Sequence, residues 1–235
     1  MNEQLARELP TASAGDSARI VAYRIIRDKI IHLALKPGEA LSDKLLAEEL
    51  GMSRTPVREA IIVLSISGMV VLRPQVGTFV APIDPERVEV EQFSRRAVEK
   101  EILRLACGHT PPAIAARYAE NLREYAEAVG APSPEGAKRL LELDNSFHSL
   151  AFEAVGRENC FRQVQRNMQH IERLRVLSLM LEDGRRLTED HARISSALLA
   201  GDEADALAQL DVHLTRYRDS LSLVRERFPE YFTIG

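Results

Sequence analysis

Four side chains in the second half of this 235-residue chain have the types and spacing of a divalent-metal site. Asp144 and His148 stand four apart in LDNSFHSLAF, so on a helix both project from one face. His191 follows, and His213 comes 22 residues after it. Singly, each reads more readily as a satisfied or exposed residue, and Asp144 with His148 could be a helix-surface pair. Together they offer one carboxylate and three imidazoles, a set suited foremost to zinc and open also to nickel, manganese or iron. Leu143, Phe147, Leu150 and Ala151 flank the pair and turn that face inward. A buried carboxylate among imidazoles needs a partner, and a metal ion supplies one.

A second constellation lies near the other end, in LSDKLLAEELGMSRTPVREAIIVLSISG, Leu41 to Gly68. Ser53, Arg54, Thr55 and Arg58 are short hydroxyls and guanidinium forks gathered at a helix start, where the helix dipole is positive. Such groups suit phosphate oxygens and the guanine edge in a major groove. Two arginines alone would read as a solvated face, so the elements that carry them decide. Ser42 is an N-cap, Leu45, Leu46 and Leu50 line one face, and Gly51 ends the helix in the left-handed conformation. Ser53 caps the next helix, Pro56 sits in its first turn, Val57, Ile61 and Leu64 form its apolar face, and Gly68 stops it. A tight turn between two such helices is a helix-turn-helix. MVVLRPQVGTFVAP then gives strands over Val70–Arg73 and Thr78–Val80 around a turn at 74–77, which makes the unit a winged helix. Lys44 and the wing at Gly77 are expected at DNA phosphates, and Arg54 and Arg58 at base edges.

Ahead of this, residues 1–16 are polar and read as a mobile arm. From Ser17 as N-cap a helix extends to about Leu35, with Ile20, Tyr23, Ile26, Ile30 and Leu33 at helical spacing. His32 falls near its end as a terminal or surface histidine. The net charge of −4 divides unevenly: residues 1–82 hold 10 Lys/Arg against 9 Asp/Glu, and residues 83–235 hold 21 against 26. DNA binding must therefore rest on where the cations sit. No apolar run reaches membrane-spanning length and MNEQLARELP lacks a signal core, so a cytoplasmic protein with no membrane partner is expected. Cys107 and Cys160 lack metal-type spacing and are expected to be packing thiols.

Ala81-Pro82-Ile83-Asp84-Pro85 marks a boundary between a domain at 17–82 and one at 83–235. Beyond it helical periodicity recurs in six blocks, near 85–107, 111–129, 135–155, 159–182, 186–200 and 202–224. Short breaks between them favour antiparallel neighbours. The expected fold class is mostly α, a winged helix-turn-helix followed by an all-α six-helix antiparallel bundle.

KPGEALSDKLLAEELGMSRTPVREAI resembles the DNA-binding domain of the GntR family of bacterial transcription regulators. LDNSFHSLAF and EDHARISSALLAGDEADALAQLDVHL resemble the FCD ligand-sensing domain of the FadR-type subfamily. Metal-binding FCD members carry an Asp-x-x-x-His and two further histidines on either side of a Gly-Asp turn, which places Asp144, His148, His191 and His213 on those positions. Fatty-acyl sensors lack that set, so the resemblance argues against an acyl-CoA effector. His109 and His170 do not match and are read as structural. Arg95 falls where many relatives aim an arginine into the pocket; the alternative is an i,i+4 surface pair with Glu99.

The resemblance implies a homodimeric regulator, a repressor first, that binds palindromic operator DNA and answers to a small organic acid beside the metal. Two readings compete with it. A metalloenzyme could use the three histidines and Asp144 to activate water, although no separate general base stands at a convincing spacing. A purely structural metal would hold the bundle together without any link to an effector.

Overall fold

The computed structural model describes residues 17–130 and 132–233, so the expected arm at 1–16 lies outside the described residues. The backbone divides into two units between Ile83 and Asp84, with the chain from Glu230 onward grouped with the first.

In the first unit, α1 (Ala18–Ile31) buries Ala22, Ile25, Ile26, Ile30 and Ile31. It ends short of Leu35 because Leu33 adopts φ 62°, which a helix cannot continue. Ile20 is exposed, and Ser17 makes no side-chain cap bond. After β1 (Ala40–Leu41), the Ser42 hydroxyl accepts the Leu45 amide at 3.3 Å and opens α2 (Asp43–Leu50). Gly51 takes φ 63° there, and the Met52 amide returns to the Ala47 carbonyl at 3.0 Å. Leu45, expected on the apolar face, is exposed; Leu46 and Ala47 are the buried pair. The helix is only eight residues long, so its buried stripe is narrow and takes one leucine of the adjacent two.

The second helix of the motif, α3 (Arg54–Ile66), buries Val57, Ala60, Ile61 and Leu64 and packs on α1 and α2. Ser53 precedes it in an extended conformation without a side-chain cap bond. β2 (Val70–Arg73) and β3 (Gly77–Val80) then form the wing. β1 adds to it, giving an antiparallel sheet in the order β1-β3-β2, with Leu41 opposite Thr78 and Val71 opposite Phe79. Two residues carry too little pattern for β1 to be read from sequence.

The first unit also takes in the chain end, assigned from sequence to the second domain. The Ile83 amide donates to the Tyr231 carbonyl at 2.7 Å, and the Thr233 amide to the Ile83 carbonyl at 3.0 Å. Phe232 is buried there.

The second unit is all helical. Its helices are α4 (Pro85–Ala106), α5 (Pro112–Ala128), α6 (Pro134–Ala154), α7 (Glu158–Arg166), α8 (Gln169–Leu179), α9 (Arg185–Ala200), α10 (Glu203–Thr215) and α11 (Tyr217–Arg227). Side chains of Asp84, Ser133 and Asp202 cap α4, α6 and α10. Two of the six expected blocks are split. The block at 159–182 breaks at Asn167–Met168, where Glu91 of α4 supplies a cap of its own: Oε2 accepts the His170 and Ile171 amides at 2.8 and 2.9 Å. An acceptor oxygen at those orphan amides starts α8 afresh. The block at 202–224 is divided at Arg216.

The core of this unit joins Ile102 and Leu103 of α4, Tyr118 of α5, Phe147 and Phe152 of α6, Ile194 and Leu198 of α9 and Leu210 and Leu214 of α10. Tyr118 meets Phe147 edge to face at 5.1 Å between centroids. Cys107 is buried against this core, whereas Cys160 on α7 is exposed and does not pack. No described helix is long and apolar enough to cross a membrane.

Candidate functional site

Helix α6 is apolar on the face that presents Asp144 and His148, and burial of Leu143, Phe147, Leu150 and Ala151 carries both polar residues inside. α9 brings His191 against them and α10 brings His213. Potential ligand atoms of all four residues lie within 4.8 Å of one another. His148 Nε2 is 3.1 Å from His213 Nε2 and 3.7 Å from Asp144 Oδ2, and His191 Nε2 is 3.3 Å from Asp144 Oδ1. Two nitrogens each about 2.0–2.1 Å from a zinc ion would themselves stand roughly 3 Å apart.

The partners of the other ring nitrogens test the fit to a metal. His148 Nδ1 sits 2.7 Å from Glu99 Oε2, whereas His213 Nδ1 lies 3.5 Å from Asp190 Oδ2, a charge contact without a hydrogen bond. A carboxylate at Nδ1 favours the proton there and leaves the Nε2 lone pair bare. With both rings protonated at Nδ1, two bare lone pairs would face each other across 3.1 Å, and a cation between them would remove the conflict. His191 is fully buried with no hydrogen-bond partner at either ring nitrogen among the described residues. The ring is held by stacking on Phe147, 4.0 Å between centroids. The donor set, its orientation and its orphaned imidazole all suit a divalent ion.

Burial sets the protonation of the cluster. It lowers His148 despite the opposing pull of Glu99, and brings His213 down to about 4 although Asp190 acts the other way. Burial and the neighbouring imidazoles hold His191 well below the usual range. Three neutral imidazoles are the form that ligates. Burial alone would raise the carboxyls of Glu99 and Asp190, but Arg95 with His148, and His213 with Arg216, hold them ionised and well below the usual range.

A cavity of about 140 Å³ opens beside the cluster, reaching Asp144 and His213. Arg95 and Arg175 line it. Arg95 is 4% exposed, with Nε 2.6 Å from Glu99 Oε1 and Nη2 3.8 Å from Asp144 Oδ2. The i,i+4 contact with Glu99 therefore exists, but inside the bundle and not on its surface. Arg175 of α8 donates through Nη2 to Asp144 Oδ2 and through Nη1 to Asn145 Oδ1 at 3.0 Å. Burial and Arg95 pull Arg175 down to about 9, which leaves it a cation at neutral pH. Ile171, Leu174, Leu179, Leu187 and Leu214 give the cavity an apolar wall, and Glu182, Asp183 and Asp219 also line it.

In the first unit, Lys44, Ser53, Arg54, Thr55, Arg58 and Gly77 are all exposed. Thr55 and Arg58 lie in the first turns of α3, with Arg54 at its start. Arg54 Nη2 bonds both oxygens of Asp43, at 2.9 and 3.0 Å, and Lys44 Nζ is 3.9 Å from Glu48. Gly77 opens β3 with φ 143°, a conformation that favours glycine, and a Cβ there would stand 3.4 Å from the Phe79 ring. Arg73 lies over that same ring at 5.2 Å.

Residues 20–80 match the family model "Bacterial regulatory proteins, gntR family", and residues 92–216, more than half of the chain, match the FCD domain. The chain belongs to the GntR family and carries an FCD domain. This GntR-family protein is thus a DNA-binding transcriptional regulator, not an enzyme. It is 32% identical over 219 residues to an HTH-type transcriptional regulator in an unstable DNA locus of Streptomyces ambofaciens, covering 93% of this chain and 91% of that one. The HTH-type transcriptional repressor RspR of Escherichia coli is 27% identical over 90% of this chain and 92% of its own. Among solved structures, E. coli McbR/YncC shares the fold with a TM-score of 0.73 at 20% identity, over 91% of this chain and 99% of that chain. A GntR transcriptional regulator from Rhodococcus sp. RHA1 superposes with a TM-score of 0.68 at 25% identity, over 88% of this chain and 99% of that chain.

Sequence reasoning missed Asp190, Arg175 and Gln92, and considered Glu99 only as the partner of Arg95 in an alternative surface pair. Asp190 precedes His191 directly, a weak signal that went unused. Arg175 and Gln92 carry no signal in sequence, because only the packing of α4 and α8 about one cavity makes them neighbours.

Proposed function

We propose that this regulator is a repressor that binds a palindromic operator as a homodimer. A small organic acid, held beside a divalent metal ion in the FCD domain, controls it. The observation that carries the sensor reading is the pair of imidazoles with carboxylates behind them, Nε2 atoms 3.1 Å apart, at the end of a cavity that also holds Arg95 and Arg175. Asp144, His148, His191 and His213 would hold the ion, zinc first among candidates, and the ion supplies a Lewis-acidic anchor for a carboxylate. Arg95 and Arg175 bind and orient that carboxylate. Arg175 now rests on Asp144; an acid offers it a second anion, and α8, which carries Arg175, answers the change.

For the DNA side, Arg58 and Arg54 are assigned to base edges, Ser53 and Thr55 to the backbone at the start of α3, and Lys44 and Gly77 to phosphates. Arg54 has to exchange Asp43 for DNA, a modest cost for an exposed pair. The repressor sign is supported by the name of RspR, similar along nine-tenths of this chain.

The test uses the full chain in zinc-stripped and zinc-loaded forms, with duplexes that the protein selects from random DNA. The selected sequences should be palindromic, with half-sites roughly 34 Å apart. A panel of carboxylic acids should contain one that changes operator affinity about 5- to 150-fold, and only with zinc present. Non-palindromic selections would reject the dimeric arrangement. Affinity untouched by zinc and by every acid would reject the sensor reading.

A further inference from the structure

The backbone at the junction of the two units is held by hydrogen bonds at every polar group. The Ile83 amide and carbonyl bond Tyr231 and Thr233, as described above, and the Asp84 carbonyl accepts the Val88 amide at 3.0 Å as α4 begins. The Asp84 amide donates to His170 Nδ1 at 3.0 Å, 86 residues away in sequence. Asp84 is the first residue of the helical unit, so this bond fixes the point where the chain enters it. The bond also assigns the tautomer: Nδ1 accepts, Arg173 Nη2 approaches the same nitrogen at 3.1 Å, and the proton lies on Nε2. Burial, with Arg173 and Arg87 adding to it, brings His170 down to about 3, so the ring is neutral and Nδ1 is an acceptor at neutral pH. Nε2 is buried without an acceptor among the described residues. A buried N–H with no partner is costly, and a side chain that only fills space has no need of one.

His170 stands in the first turn of α8, and Glu91 sets the position of that turn by taking the His170 and Ile171 amides. Glu91 bonds backbone groups, which almost any residue supplies; the hold on Asp84 needs an acceptor on the side chain at 170. Every residue of α8 except Arg175 is buried, so the helix is braced along its length and transmits a displacement as one body. Arg175 follows His170 by five residues, about 7.5 Å along the axis, and rests on Asp144 and Asn145. Asp144 is also one of the four proposed ligands. Arg175 and a divalent ion are both cations that compete for its carboxylate, so filling the site changes what Arg175 rests on. The far end of that helix is the His170 bond to the junction.

We infer that His170 is a positioning residue that links the metal site to the junction: on one helix, Arg175 meets Asp144 and His170 holds the Asp84 amide. The inference rests on the metal-sensor reading above and adds to it the residue through which the filled site reaches the start of the helical unit.

Zinc is the probe, and the full chain is compared in stripped and loaded forms. Hydrogen exchange at the Asp84 amide of the unmodified chain should differ about fivefold or more between them. His170→Phe, or His170→Leu should the larger ring fail to fold, removes the acceptor; there, with zinc content verified, the two forms should exchange alike. His170→Asn returns an acceptor oxygen close to the place of Nδ1, and the difference should return with it. A His170 that only fills the core would change protection in both forms by one factor and leave their ratio intact. Equal exchange in the unmodified chain with zinc bound overturns the inference and leaves the sensor reading standing. A full ratio kept without the acceptor overturns it too, as does a ratio lost alike in His170→Asn. A chain that binds no zinc removes the sensor reading and this inference with it.

Discussion

On α3 the charged groups face solvent, whereas Asp144, His148, His191 and His213 of α6, α9 and α10 are sealed inside the bundle. Arg54 keeps 64% of its side chain exposed while paired to Asp43; His148 and Asp144 keep 3% each and His191 none. A solvated guanidinium stays charged at little cost, forms weak exchangeable pairs and meets its partner only on binding. Buried imidazoles are costly to charge, so they stay neutral and pre-oriented by carboxylates before any ligand comes. The first arrangement suits a polyanion read along a surface, and the second suits a small ion and a small acid. Substitutions in the first unit should therefore change affinity in proportion to one contact. Those in the second should disturb a coupled set.

The sharpest test of that contrast is His191→Ala. It removes a proposed ligand whose ring nitrogens make no hydrogen bond among the described residues, and zinc affinity, measured by chelator competition, should fall by more than the roughly 10–100-fold expected for loss of a group that only orients a ligand. Operator selection should persist in the variant; retention of full zinc affinity would remove His191 from the site. Glu99→Gln comes next, because it weakens the hold on His148 Nδ1 without touching the four ligands. About 10–100-fold weaker zinc binding is expected, and no change would reduce Glu99 to a partner of Arg95 alone.

In the first unit, Arg58→Ala should weaken operator binding by about 1–3 kcal/mol and barely affect random DNA at matched salt. Equal losses on both would make it a phosphate contact and blur the contrast between base reading and positioning.

The smallest expected effect concerns Glu91, whose burial raises its carboxyl to about 7. Between the ordinary carboxylate range and pH 7 the folded chain binds this proton and the unfolded chain does not. Its contribution therefore falls as pH rises through that window and is flat above it. Glu91→Gln keeps an oxygen for the α8 amides and loses the titration. Relative to this variant, the unmodified chain should lose roughly 1–2 kcal/mol of stability between pH 5 and 8 in denaturant unfolding. A constant difference across that range would show that Glu91 is not desolvated as the structure has it.

The head was legible because its signals are local. Ser42, Gly51 and the turn before β3 act on neighbours a few residues away, so type and spacing suffice. Where the pattern failed there, at Leu45, Leu33 and β1, a short element or a positive φ left too little periodicity to read. In the helical unit, breaks at Gly and Pro were visible, but the split between α7 and α8 was not, since its cause is a carboxylate 79 residues away in sequence. Cys160 was misplaced for a similar reason: composition predicts how cysteines behave on average, not which face of α7 one occupies.

By itself the sequence determined the winged head, the mostly helical remainder, and the four residues with the chemistry of a metal site, because each follows from residue type and near-neighbour spacing. Tertiary structure alone decided that Glu99 and Asp190 stand behind two of the imidazoles, that Arg95 and Arg175 close on Asp144, and that His170 takes the Asp84 amide. Those relations join α4, α6, α8, α9 and α10, and a contact between distant helices is fixed by how their apolar faces pack, a property of the whole core and of no single stretch.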